Sequence, residues 1–193
     1  MQSLTETGAG LVISLSCQRD EREVPMKHTA FLCLLFLAFA FNAAAQNAHP
    51  KADKRVRSSL DDLSLAYDLT PTNDFKLRPL STEGERTQLV YVNSITQRYG
   101  SLEIREIIAP AFLTEGPLTE ALAARLLREN GEVKLGAWRT APITDGDKAG
   151  RCLIMYAIQI AADSDTEALR LAIKNAALTA DRLEKELTGK DAY

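Results

Sequence analysis

What the chain lacks narrows it as much as what it contains. Among 193 residues there are three cysteines, two histidines and one tryptophan, and aromatic side chains make up only 6%. Long apolar runs are missing too, save one. Thr29 to Phe41 is an unbroken tract of 13 residues, opened by Met26-Lys27-His28 and closed by Ala43-Ala44-Ala45. Crossing a hydrocarbon core takes about 20 apolar residues; this tract is shorter and runs straight into polar Gln46-Asn47-Ala48-His49-Pro50. A basic start, an apolar core and small residues at Ala43 and Ala45 make residues 26–45 a secretory signal peptide, cut before Gln46. Cys33 lies inside the apolar run and not at the cut, which excludes a lipoprotein signal.

The signal sets the compartment as periplasmic or secreted and shortens the list of usable residues. Residues 1–25 precede it and are read as a start codon assigned upstream, or as an N-terminal extension. Cleavage leaves residues 46–193, one domain's worth. The removed part takes four acids (Glu6, Asp20, Glu21, Glu23) and three bases (Arg19, Arg22, Lys27), so the whole chain's charge of -3 becomes -2. That near balance excludes a nucleic-acid binder, which concentrates positive charge on one face. Of the cysteines only Cys152 survives, so no disulfide can form within the chain and packing must hold the fold.

Residues 46–57, with Pro50 and the bases Lys51, Lys54, Arg55 and Arg57, read as a flexible basic linker. The domain proper is expected over 58–193. Ser58 or Ser59 can cap a helix through Leu60, Leu63, Ala66 and Tyr67, which Thr70-Pro71-Thr72-Asn73 then ends. Phe75 to Leu80, Thr87 to Thr96 and Leu102 to Ala109 read as a three-stranded meander. Pro117 and Thr119 open a second helix, and Asn130-Gly131 closes it with a left-handed cap. Glu132 to Thr140 and Arg151 to Ala161 follow as strands around the turn Thr144 to Lys148. The second of these is apolar on both faces, so both should lie out of water. Ser164-x-x-Glu167 then caps a long helix whose Leu169, Ile173, Ala176, Ala180, Leu183 and Leu187 form one seam, expected to lie on the sheet. The fold class is therefore α+β, an antiparallel sheet of about five strands packed with helices, in the order α-β-β-β-α-β-β-α.

Catalytic chemistry has little to stand on. After cleavage His49 is the sole histidine, so no histidine-based triad, general base or metal cluster can be assembled. Cys152 lies in an apolar strand with no histidine near it in sequence, the setting of a buried structural thiol. Asp145-Gly146-Asp147 lacks the further ligands and terminal Glu of a calcium loop and fits a turn. Asp61 and Asp62, side by side, fit first-turn acids at a helix N-terminus. No glycine-rich phosphate loop occurs. No enzyme, cofactor or metal site is expected. Trp138 remains. Counted along its strand it faces away from Val133, Leu135 and Ala137, together with Lys134. Leu153 and Met155 of the neighbouring strand lie on the same unexplained face. Trp138, Lys134, Met155 and Leu153 are therefore the candidate partner surface, since aromatic anchors beside apolar area are what interfaces use.

Four local features, Arg86-Thr87-Gln88-Leu89-Val90-Tyr91-Val92, Leu126-Leu127-Arg128-Glu129-Asn130, Leu135-Gly136-Ala137-Trp138 and Ala180-Asp181-Arg182-Leu183-Glu184, occur in this order among these elements. With them, residues 55 to 188 resemble the YbjN family, a bacterial group with a fold similar to type III secretion chaperones. The resemblance implies an antiparallel sheet backed by helices, homodimers, and a regulatory or chaperone-like role without established chemistry. The signal peptide separates this chain from the cytosolic chaperones of that fold. The function expected is an exported, non-enzymatic protein-interaction module, dimeric, meeting a protein or peptide partner in the cell envelope. The alternative is a periplasmic carrier with a small molecule or lipid in an apolar pocket between sheet and helices. N-terminal sequencing of the exported protein should begin at Gln46; a mature chain that still carries Met26 would overturn the signal assignment.

Overall fold

The computed structural model describes residues 51–82 and 84–193. Residues 1–25, the segment read as a signal peptide with Ala43, Ala45 and Gln46, and the first part of the expected linker lie outside the described residues.

Helix α1 (Lys54–Asp62) begins earlier than its serines suggest. Asp53 is the N-cap, its carboxylate accepting from the Arg55 N–H at 2.8 Å, and Val56 and Leu60 are buried. Residues 54–57 are thus the first turn of a helix and not a solvated arm. Arg55 bonds both Asp53 and Glu103, while the Arg57 guanidinium lies 5.9 and 5.8 Å from the ring centroids of Tyr67 and Phe75. Asp61 and Asp62 accordingly fall in the last turn, not the first. The helix stops at Ser64, which takes a left-handed φ of 54°. Ser64 N–H bonds Asp61 O and Leu65 N–H bonds Leu60 O, the paired bonds of a Schellman ending.

Tyr67 is therefore free to start a strand. Strand β1 (Tyr67–Leu69) pairs with β2 (Phe75–Ser81), and Thr70 to Asn73 make the turn between them. This short strand is the one absent from the expected order. Strands β3 (Thr87–Tyr99) and β4 (Leu102–Leu113) complete the meander; helix α2 (Glu120–Glu132), β5 (Ala137–Pro142), β6 (Cys152–Ala161) and helix α3 (Thr166–Thr188) follow. All pairings are antiparallel, and the described strands form one six-stranded sheet in the order β1-β2-β3-β4-β6-β5. Pro110 sits inside the sheet because the β4–β6 register shifts between Pro110 and Phe112, a break that relieves the missing N–H.

Three boundaries differ from the expected ones. Gly131 lies within the last turn of α2, not at a left-handed cap, and Val133 to Gly136 form a turn in place of the expected start of β5. At the other end of the chain Asp165, one residue past the expected serine, caps α3, and left-handed Gly189 closes it.

Helix α3 lies on the sheet as its seam predicts. Leu169, Ala172, Ile173, Ala176, Ala177, Ala180 and Leu183 are buried against Val90, Val92, Ile107, Ile154 and Ile158. Helix α1 packs beside α3, and α2 covers β5. One buried ion pair fixes the entry of the chain. Arg105 on β4, 2% exposed, donates to Asn93 O at 2.6 Å and to the Asp53 carboxylate. Asp53 N–H in turn donates to Ser94 Oγ, and Ser94 Oγ to Asn73 O. Burial opposes the Asp53 charge, but hydrogen bonds from Arg55 and Arg105 outweigh it and hold its carboxyl well below the usual carboxylate range.

Removing one partner of such a pair costs about 3 kcal/mol, so Arg105→Met should lose about that much in urea unfolding at pH 7. Because the Asp53 pKa is depressed on folding, its contribution is present above pH 3.8 and fades as pH falls further. The gap between variant and parent should therefore narrow in acid.

Candidate functional site

The four residues expected to form one surface fall in three places. Trp138 pairs across the sheet with Tyr156 and is 5% exposed, on the side that the helices cover. Its ring meets that of Tyr156 edge-on, with centroids 5.0 Å apart. Lys134 is exposed in the turn before β5. Only Met155 and Leu153 lie on the opposite, helix-free face, both half-buried. The strand count went astray because Gly136, at φ 85°, breaks the alternation between Leu135 and Ala137.

On the helix-free face the register brings Tyr91 beside Ile108, Ile108 beside Ala157, and both Pro110 and Arg139 beside Met155. The Arg139 guanidinium donates to Glu106, and the Gln159 amide reaches the same carboxylate at 3.5 Å. This polar bridge crosses three strands, so the face is mixed and not a bare apolar sheet. Among the described residues no helix lies on it.

The α2–β5 end of the sheet is built differently. The Trp138 indole N–H donates to Glu129 at 2.7 Å, and Glu129 is held by Arg125 one helical turn earlier, also at 2.7 Å. Arg125 also pairs with Glu186, tying α2 to the end of α3. The Asn130 side chain accepts from the Trp138 backbone N–H at 2.6 Å and donates to the Trp138 carbonyl at 3.2 Å. Both backbone groups thus point away from β6, and Asn130 stands where a further strand would pair. Pro142 removes another donor from the same strand. Strand addition at this edge is closed.

Side-chain docking remains open. Leu127 on α2 is 74% exposed. It borders a groove of about 260 Å³, walled by Leu118, Leu126 and Thr140 and floored by Trp138. Sequence periodicity signals that α2 is amphipathic, but whether Leu127 lies inside or outside depends on the angle at which Asn130 and Glu129 lock the helix to β5.

Candidate chemistry elsewhere is structural. Cys152 is buried, and its N–H donates to Thr114 Oγ1 at 2.8 Å. Asp145 and Asp147 stand exposed around a 3-10 turn, Gly146–Lys148. A cluster that sequence reasoning missed joins Asp181, Glu184 and Asp191, whose oxygen atoms lie within 4.8 Å of one another. These carboxylates could supply oxygen ligands, yet Arg86 already donates to Asp181 at 2.6 Å and to Glu184 at 3.3 Å. Burial pushes the Glu184 carboxyl up, and the Ala192 N–H and Arg86 pull it back only in part. The arginine makes this a clamp on the end of α3. Among the described residues no helix is long and apolar enough to cross a membrane.

No protein-family model, curated protein or solved structure matches the chain. The site has to be judged on its own geometry.

Gly136 is the position on which that geometry turns. A Cβ there would meet Ile158 Cγ1 at 2.7 Å and Ala157 O and Tyr156 Cε1 at 2.8 Å, on a backbone already left-handed. Strain and overpacking together put Gly136→Ala at a loss of about 2–4 kcal/mol. The chain's one tryptophan reports it directly: Trp138 emission should shift to the red at lower urea than in the parent.

Proposed function

We propose that the protein is an exported, non-enzymatic interaction module of chaperone-like or regulatory type that works as a homodimer assembled through the α2–β5 edge. The observation that carries this is Leu127, 74% exposed beside a groove of about 260 Å³ whose floor is Trp138. A large apolar side chain next to an apolar groove of comparable scale is self-complementary. A two-fold axis lets each Leu127 enter the groove of the other copy, the isologous arrangement of most homodimers. The blocked backbone edge favours a discrete side-chain interface over open-ended strand pairing.

Other features support the same proposal. An antiparallel sheet with its helices on one side is the fold that the YbjN resemblance implies, and that family is expected to dimerise. The signal peptide places the action in the periplasm or outside the cell. The non-enzymatic character rests on the sequence, which leaves the mature chain only His49 and Cys152 among the side chains best suited to nucleophilic or general-base work. A second reading, a carrier of a small molecule or lipid, draws on a separate groove at the other end of the sheet.

Truncating or charging a hot-spot residue costs about 2 kcal/mol or more, about thirtyfold in affinity, and Leu127 is the anchor this interface would depend on. Leu127→Arg should therefore convert the dimer to monomer at micromolar concentration in sedimentation equilibrium, with circular dichroism unchanged. A parent that is monomeric throughout that range, or a variant as dimeric as the parent, would overturn the proposal.

A further inference from the structure

A groove of about 460 Å³ runs between α3 and the outer flank of β2, at the end of the sheet remote from α2. Its existence follows from the fold. Strand β1 pairs with β2 only as far as Leu77, and the β2–β3 register shifts between Leu77 and Leu80. Helix α1 has ended at Asp62. Leu65, Leu80, Ile173, Ala177 and Leu178 are left lining a trough with no strand or helix laid over it among the described residues. The small side chain of Ala177 leaves the depth.

The charge at this trough is one-sided. Arg170 and Lys174 stand on its α3 rim, one turn apart, and no carboxylate among the described residues lines it. Arg170 is committed to Glu167, with a nitrogen–oxygen distance of 2.6 Å. No carboxylate among the described residues pairs with Lys174, which is exposed. The volume lies within the roughly 300–1,000 Å³ usual for small-ligand sites. The chemistry called for is an alkyl chain with one negative end.

We propose that this groove binds the acyl chain of a fatty acid of about ten carbons, with the carboxylate held by Lys174. This gives the carrier reading its site and its ligand class, and it rests on residues that the α2–β5 dimer does not use. Binding should be saturable at one molecule per chain and should tighten with chain length, by up to about fifteenfold for each added pair of methylenes until the trough is filled.

The test is titration of the delipidated mature protein with decanoate and, in parallel, with uncharged decanol, followed by native mass spectrometry and calorimetry. Lys174→Glu lies on the exposed face of α3 and should weaken decanoate about five- to tenfold, the scale of one exposed charge pair reversed in sign. It should leave decanol within twofold. Leu178→Glu should weaken both. A parent that ignores decanoate, including one that takes an acidic apolar peptide instead, overturns the assignment. So does a Lys174→Glu protein that binds the two ligands as the parent does. Dimer mass, read in the same spectra, keeps this outcome separate from that of the α2–β5 edge.

Discussion

Everything in this fold is arranged around the close approach of α3 to the sheet. Ala172, Ala176, Ala177 and Ala180 face the strands, and four small side chains on one face let a 23-residue helix settle across β3, β4 and β6. The layer between helix and sheet is filled from the sheet side, by Val90, Val92, Ile107, Ile154 and Ile158. Dispersion and area burial both reward such an interface, because it leaves few gaps. One long helix then does the work that several would do elsewhere, and α1 and α2 are displaced to the two ends of the sheet. The surfaces with binding potential lie at those ends as a direct result.

Ionic clamps hold both ends of this arrangement. At the start, Arg105 and Asp53 join β4 to the first turn of α1; at the finish, Arg86 joins the second hairpin to Asp181 and Glu184 on α3. Buried pairs of this sort add little net stability, since desolvation offsets much of the attraction. Their effect is on register. An apolar seam of alanines would tolerate sliding of α3 along the sheet, whereas Arg86 reaches its acids at one setting only. Glu184 shows the cost, since burial pushes its carboxyl up even with an arginine close by. The two clamps therefore select one packing among several that apolar contacts alone would leave close in energy.

How much of this was legible in the sequence depended on whether the deciding contact was local. The seam of α3 and the strand expected over Thr87 to Thr96, observed to run on to Tyr99, follow from periodicity, which depends on neighbours three or two residues away. The stop at Ser64 was hidden because a serine there adopts a conformation usually left to glycine. The start at Asp53 was hidden because its selection over Ser58 comes from Arg105 and Ser94, 52 and 41 positions further along the chain. Trp138 was assigned to the wrong face for a sharper reason. Alternation was counted through Val133 to Gly136, yet the close approach of Gly136 to Tyr156 and Ile158 ends the turn there and resets the count. The groove beside β2 had no sequence signature, because Leu65, Leu80 and Leu178 meet only after the chain has folded.

The two ends of the sheet differ in a way that bears on what each can bind. At β5 the backbone is already spoken for by Asn130, so affinity there must come from side chains, and Leu127 over Trp138 offers a compact apolar contact suited to a matching protein surface. At β2 the apolar floor lies under a cationic rim. That combination suits a ligand that is long, thin and charged at one end. The same sheet thus leaves a compact apolar contact over Trp138 at one end and an apolar trough under a cationic rim at the other. The separation arises because α3 covers the middle and leaves only the margins exposed.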